Sequence, residues 1–263
     1  MKRIMLVIAY DGTNYCGWQT QKNGIAVEEV INRTLSDLTC EDIKVIGASR
    51  TDAGVHAYGN VAVFDTDSRI PGDKFVYALN RFLPDDIVIQ ESKEVASDFH
   101  PRHVNCKKTY EYRILNRRVP LPTKHRYAHF LYYNLDIEKM RDAAKILVGT
   151  HDFKSFCSVN TQVKDTVRTI YNIDVIRENE DVVIRVFGNG FLYNMVRIIA
   201  GTLISVGTGL TAPEKVKKML EAKDRQAAGP TAPAKGLTLV KILYEDEDVM
   251  KNFKKSVDTA GSV

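Results

Sequence analysis

Eight runs rich in β-branched and aromatic residues punctuate the chain, at 3–10, 43–48, 60–65, 86–95, 108–115, 168–177, 181–187 and 237–243, and each reads as a strand. Between several of them the apolar period lengthens to that of a helix. Val27, Val30, Ile31, Leu35 and Leu38 share one face, as do Ile137, Met140, Ala144 and Leu147, the second set bracketed by Asp136 and Gly149. "TAPE" at 211–214 reads as a capping box that opens a short basic helix. Over residues 1 to about 100 the order is strand, helix, strand, strand, helix, strand, and a second mixture of strands and helices follows. That is an α+β pattern, repeated in topology without sequence self-similarity. The runs 168–177 and 181–187, separated by "ENED", predict an antiparallel hairpin, and two split βαβ units would give helices packed on a mixed sheet. Residues 245–263 lack periodicity and are expected to fray.

With 44% hydrophobic residues among 263, the chain can bury a real core in one large or two ordinary domains. No run approaches the roughly 18 consecutive apolar residues of a membrane span. "MKRIMLVIAY" runs into acidic and polar residues without a cleavage site, so a cytoplasmic protein is expected. Cys16, Cys40, Cys106 and Cys157 form no CxxC pair, which argues against a zinc knuckle or a redox motif. His100, His103 and Cys106 in "HPRHVNC" match no common metal spacing and read as a surface loop, so no metal is expected. Lys and Arg outnumber Asp and Glu by 37 to 33. The basic residues recur as "RHVNCKK", "NRRV" and "TKHR" between 102 and 126, which suits either a solvated face or a polyanionic partner.

Three stretches carry candidate chemistry. "ASRTDAGVHA" (48–57) follows a strand-like run and presents Asp52 from a turn that Gly54 permits. The plainer reading makes Asp52 a turn former and the sharper one a reactive carboxylate. "FGNGFLYNMVRIIAGTL" puts Leu192, Met195, Val196, Ile199 and Leu203 on one helical stripe, with Tyr193, Arg197 and Gly201 on another face. An arginine so placed is usually paired with a carboxylate or a phosphate. "KKTYEYRIL" puts Tyr110 and Tyr112 on one strand face. Tyr112 reads as core, while Tyr110 reads either as core or as a surface on which a nucleic-acid base stacks.

"AYDGTNYCGWQTQ", "ASRTDAGVHA", "FHPRHVNCKKTYEYRI", "GNGFLYNMVRIIAGTLISVG" and "AGPTAPAKGLTL" stand in order from residue 9 to 239. Through these five blocks the chain resembles the tRNA pseudouridine synthase A family. Ser49 departs from the glycine of many members and leaves the reactive segment intact. The resemblance implies two ferredoxin-like or RRM-like α+β subdomains, at 1–104 and 105–245, whose mixed, mainly antiparallel sheets meet at a central active-site cleft, with 246–263 as a tail. It implies isomerisation of uridine to pseudouridine at positions 38, 39 and 40 of the tRNA anticodon stem-loop, without metal or redox cofactor. Carried onto this sequence, Asp52 is the essential aspartate, Arg50 fills the space of the flipped-out base, Tyr110 stacks on the target uracil and Arg197 faces Asp52. The resemblance also implies a homodimer with one tRNA lying across both subunits.

Asp52 could attack C1′, attack C6 of the ring or remove a C2′ proton, and the residues do not choose among these routes. Tyr10, Asp11 and Trp18 are expected to shape the cleft or pack behind the Asp52 loop, Trp18 by packing, and His56 to support the loop. "PTAPAKG" (230–236) reads as a turn into the last strand, with Lys235 as a candidate phosphate contact. Two rival readings are a hydrolase or nuclease using Asp52 with His56, and a non-catalytic module that stacks RNA bases on sheet aromatics.

Overall fold

The computed structural model of the chain describes residues 1–22, 24–159 and 163–244. The tail expected at 246–263 lies outside the described residues. Two compact units result, one formed by Met1–Lys107 with residues 240–244, the other by Lys108–Leu239. The first division falls at 107/108, against 104/105 in the sequence reading, which did not foresee the return of the chain to the first unit at Val240.

The first unit runs β1 (Lys2–Tyr10), α1 (Val27–Thr39), β2 (Ile46–Gly47), β3 (His56–Thr66), α2 (Phe75–Asn80) and β4 (Ile87–Val95). β1 pairs antiparallel with both β3 and β4, and β2 pairs antiparallel with β3, which gives the order β4-β1-β3-β2 of a ferredoxin-like βαββαβ unit. Consecutive strand residues face opposite ways, yet Ile4, Met5 and Leu6 are all fully buried, so β1 is covered on both faces. Each such side chain contributes about 1.5–3 kcal/mol. The strand expected at 43–48 shrinks to two residues because Ile43 and Val45 turn their N–H groups onto α1, bonding Ser36 Oγ at 3.0 Å and Asn32 Oδ1 at 2.8 Å. The α1 stripe is buried at Val27, Val30, Ile31 and Leu35, while Leu38 is half-buried.

The second unit contains β5 (Cys106–Asn116, from Lys108), β6 (His129–Leu131), α3 (Ile137–Leu147), β7 (Gly149–Asp152), β8 (Val167–Glu178), β9 (Asp181–Gly188), α4 (Met195–Gly207) and α5 (Lys215–Ala222). Its strands lie in the order β5-β9-β8-β7, all antiparallel, and β6 adds a parallel edge to β5. The expected hairpin is β8 and β9, closed with Glu178 opposite Asp181. α3 packs on β8 and against α4, and the Asp136 side chain accepts the Lys139 N–H as its cap. The capping box expected at 211–214 does not form. α5 starts one turn later, Glu214 makes no side-chain cap, and backbone bonds from Lys215 to Ala212 and Val216 to Pro213 close the turn. Tyr193 also departs from expectation, lying exposed ahead of α4, whose entry residue Asn194 has φ 60°. β10 (Leu237–Tyr244) begins in the second unit and ends in the first, where it follows β3 in the sheet order.

α4 is buried on nearly every side, including the Gly201 face. A Cβ at Gly201 would stand 1.8 Å from the Pro230 carbonyl oxygen, so only glycine lets segment 229–232 lie against the helix. Gly201→Ala is therefore expected to lower the urea midpoint by an amount equivalent to about 1–3 kcal/mol or more. An unchanged midpoint would mean that the segment is not held there.

Candidate active site

In the first unit the expected residues Arg50 and Asp52 share the loop from Ala48 to Val55, between β2 and β3. The loop is fastened along most of its length. Ala48 N–H donates to Val61 O at 2.7 Å, and Ser49 O accepts from Asn60 Nδ2 at 3.1 Å. Thr51 Oγ1 meets Tyr10 OH at 2.7 Å, and Thr51 O accepts from Trp18 N–H at 3.0 Å. Asp52 forms an isolated antiparallel bridge with Gly17. The turn after it is closed by backbone, Val55 N–H to Asp52 O at 3.1 Å, and Gly54 takes φ +76° there, the conformation for which glycine was expected. Asp52 itself is half-buried and Arg50 is exposed.

Two structural devices deliver these bonds. The register between β1 and β3 shifts between Ile8 and Tyr10, three residues of β3 spanning two of β1, and such a bulge re-aims the side chains beside it. At Gly17, with φ +108°, a Cβ would lie 2.6 Å from Thr51 O, so a side chain would separate the two segments. Trp18 is fully buried, as expected for a packing residue, with its ring centroid 6.0 Å from that of Tyr10.

His56 is the first residue of β3 and is 4% exposed, and its Nδ1 stands 3.1 Å from both Gly12 N and Asp11 Oδ1. These contacts hold the segment at 11–12, whereas the sequence reading had His56 support the Asp52 loop. The residue that sequence reasoning missed is Asp86. Its carboxylate accepts from Tyr15 OH at 2.5 Å and Asn14 Nδ2 at 3.4 Å, and its carbonyl accepts from Asp11 N–H at 3.0 Å. Burial first, then the bond to Asp86, pushes the Tyr15 phenol pKa up and keeps it a donor. The only signal in the chain was the paired aspartates of "LPDDI" ahead of a strand.

In the second unit Tyr110 lies opposite Val186 of β9, is 8% exposed and meets the Phe191 ring edge-on at 5.2 Å. Tyr112 is core, as expected. Its hydroxyl donates to Pro233 O at 2.9 Å, and burial raises its pKa against the opposing charge of Arg197. Arg197 is half-buried, donating from Nε to Ala232 O at 2.8 Å and from Nη1 to Asn194 Oδ1 at 2.7 Å, while its own carbonyl accepts from Ala232 N–H at 3.1 Å. The segment that required Gly201 thus orients the guanidinium. "PTAPAKG" forms the expected turn, with a short helical stretch at Ala234–Gly236 leading into β10, and Lys235 is half-buried. Among the described residues no three His, Cys, Asp or Glu side chains are grouped to hold a metal ion. No helix among them is long and apolar enough to cross a membrane.

A family model described as tRNA pseudouridine synthase matches residues 6–103 and 143–245. Arg50, Asp52 and Arg197 fall within the matched segments and Tyr110 between them. "tRNA pseudouridine synthase A" of Thermoanaerobacter sp. strain X514 is 49% identical over 245 residues, covering 93% of this chain and 100% of that protein. The protein of the same description from Ruminiclostridium cellulolyticum is 51% identical over 246 residues, with 93% and 100% covered. A solved structure, the archaeal box H/ACA sRNP Nop10-Cbf5 complex, is 12% identical with a TM-score of 0.32, covering 92% of this chain and 50% of that one, a likeness too slight to weigh. With a family model spanning most of the sequence and relatives matched over their whole length, this chain belongs to the tRNA pseudouridine synthases, enzymes that isomerise uridine to pseudouridine in tRNA.

Proposed function

We propose that this chain converts uridine to pseudouridine at positions 38, 39 and 40 of the tRNA anticodon stem-loop, with Asp52 as the essential carboxylate. The observation that carries the proposal is the fastening of the Asp52 loop, within a matched family segment, by the Gly17 bridge and the Trp18–Thr51 bond. A carboxylate on a backbone already fixed needs little rearrangement as charge develops on the sugar.

The reaction gains and loses no atoms overall. The N1–C1′ bond breaks, the uracil turns, C5 bonds to C1′, and the C5 hydrogen leaves while N1 takes a proton. Asp52 acts as an anion at C1′, at C6 or on the C2′ hydrogen. Arg197 is assigned the part of its ion-pair partner, since a guanidinium within about 4–6 Å favours the charged form of a carboxylate against burial. Tyr110 stacks on the flipped uracil, and exposed Arg50 fills the space that the base leaves. Flipping costs a few kcal/mol, which stacking and phosphate contacts offset. The enzyme works as a homodimer with one tRNA across both subunits, in the cytoplasm, without cofactor or metal.

Asp52→Asn is expected to abolish tritium release from tRNA labelled at uridine C5 while a gel shift still detects the complex; release at the wild-type rate would remove Asp52 from the chemistry. Tyr110→Ala is expected to weaken productive tRNA binding roughly 5- to 150-fold, the equivalent of about 1–3 kcal/mol of lost stacking, and Tyr110→Phe to restore the affinity. Equal affinity of all three would place the ring off the substrate. Arg197→Lys is expected to slow turnover, because an ammonium cannot hold Ala232 O, Asn194 and a carboxylate with one planar fork. Wild-type turnover in that variant would remove the specific pairing.

A further inference from the structure

Beside the Asp52 loop stands a second arginine that the isomerisation reading leaves without a role. Arg102 donates from Nε to Gly47 O at 2.6 Å, five residues before Asp52 in the chain. Gly47 is itself fixed, for a Cβ there would lie 2.3 Å from Trp18 Nε1, so the indole sits directly on its backbone. The backbone around Arg102 is held as well. Pro101 O accepts from Tyr244 OH at 3.1 Å, Arg102 N–H donates to His100 Nδ1 at 3.2 Å, and the His100 and His103 rings stack at 3.7 Å.

Three residues beyond Gly47, Arg50 is exposed between two fastened neighbours, Ser49 and Thr51. Among the described residues neither the Nη groups of Arg102 nor the guanidinium of Arg50 has a hydrogen-bond or ion-pair partner. Burial first, and then the charge of Arg50, holds the Arg102 pKa below its ordinary value, and Glu28 opposes the shift more weakly. Glu28 also accepts the Thr20 N–H at 3.1 Å, which commits one of its oxygens. An anion between the two guanidinium groups would relieve the repulsion. With Nε bound to Gly47, Arg102 presents its two Nη nitrogens end-on, a fork that matches a pair of phosphate oxygens.

We propose that Arg102, tethered through Gly47 and acting beside Arg50, binds a backbone phosphate of the RNA that is presented to Asp52. The proposal rests on the tRNA pseudouridine synthase reading and adds to it a substrate contact. Arg102 is then both a brace for the start of the reactive loop and a gauge of whether RNA has seated against it.

Salt dependence separates these two parts, because a brace releases no counterions and a phosphate contact does. Binding of unmodified tRNA would be measured over a salt series for wild type, Arg102→Gln and Arg102→Lys. Arg102→Gln is expected to lower the slope of log affinity against log salt by about 0.7–0.9, the contribution of one phosphate, and Arg102→Lys to keep the wild-type slope. A wild-type slope in Arg102→Gln, whatever its affinity, overturns the contact and leaves only the brace. Should Arg102→Gln fail to fold, wild type can be titrated with anticodon arms carrying single uncharged methylphosphonate linkages next to the target uridine. One linkage is expected to lower the slope by the same amount, and slopes unchanged at every linkage overturn the proposal. Tritium release by wild type is followed in parallel: its absence would remove the isomerase reading, whereas release with an unchanged Arg102→Gln slope removes only the phosphate contact.

Discussion

The two residues Gly17 and Trp18 are the joint on which the first unit depends. Their carbonyl groups accept the N–H groups of Val27 and Glu28, at 3.1 and 3.0 Å, and so satisfy two of the orphan donors at the start of α1, where no side-chain cap exists. On the other side Gly17 bridges Asp52 and the Trp18 N–H holds Thr51 O. One short extended piece of backbone therefore ties the end of a helix to the reactive loop, and it can do so only because Gly17 brings no side chain between them. Each bond contributes about 0.5–1.5 kcal/mol net. Their joint effect is positional, since moving Asp52 means disturbing α1 and the buried indole together.

A second circuit closes around the same joint. Asp86, just ahead of β4, holds Asp11, Asn14 and Tyr15, and Tyr15 O accepts from Gly54 N–H at 3.3 Å. The outer strand of the sheet is thereby linked through one carboxylate to the turn that follows Asp52. His56 belongs to this circuit rather than to the chemistry. A ring 4% exposed and turned onto Gly12 and Asp11 holds the chain in place, which removes the main support for an acid–base pair of the hydrolase kind.

Much of this was legible in the chain and some of it could not be. The βαββαβ order, the β8–β9 hairpin and the buried stripes of α1 and α3 follow from period alone, because alternation and helical spacing are local properties. Tyr112 as core was readable for the same reason, and Trp18 as packing from its residue type. The 43–48 run misled because its β-branched residues match strand propensity, while Asn32 and Ser36, about ten residues earlier, capture the N–H groups that a strand would have used. "TAPE" misled because a capping box also requires the helix to begin there, and backbone turns satisfied those donors first. Asp86 and Arg102 were invisible since each acts through a partner far off in the chain, 75 residues from Asp11 to Asp86 and 55 from Gly47 to Arg102.

In the second unit the same logic governs an arginine instead of a carboxylate. α4 is apolar enough to be buried on nearly every side, so a guanidinium on it needs polar partners. Segment 229–232 provides them by lying against Gly201 so closely that its carbonyls and N–H groups face the helix: Ala232 brackets Arg197 from both sides, and Gly229 N–H reaches Thr202 Oγ1 at 3.0 Å. Desolvation of Arg197 is thus balanced by hydrogen bonds that also choose its direction. In both units a glycine that permits close backbone approach sets the aim of a charged side chain some distance from it. An isomerase suits this economy, because a reaction with no net gain or loss of atoms asks for one well-placed charge more than for an array of titrating groups.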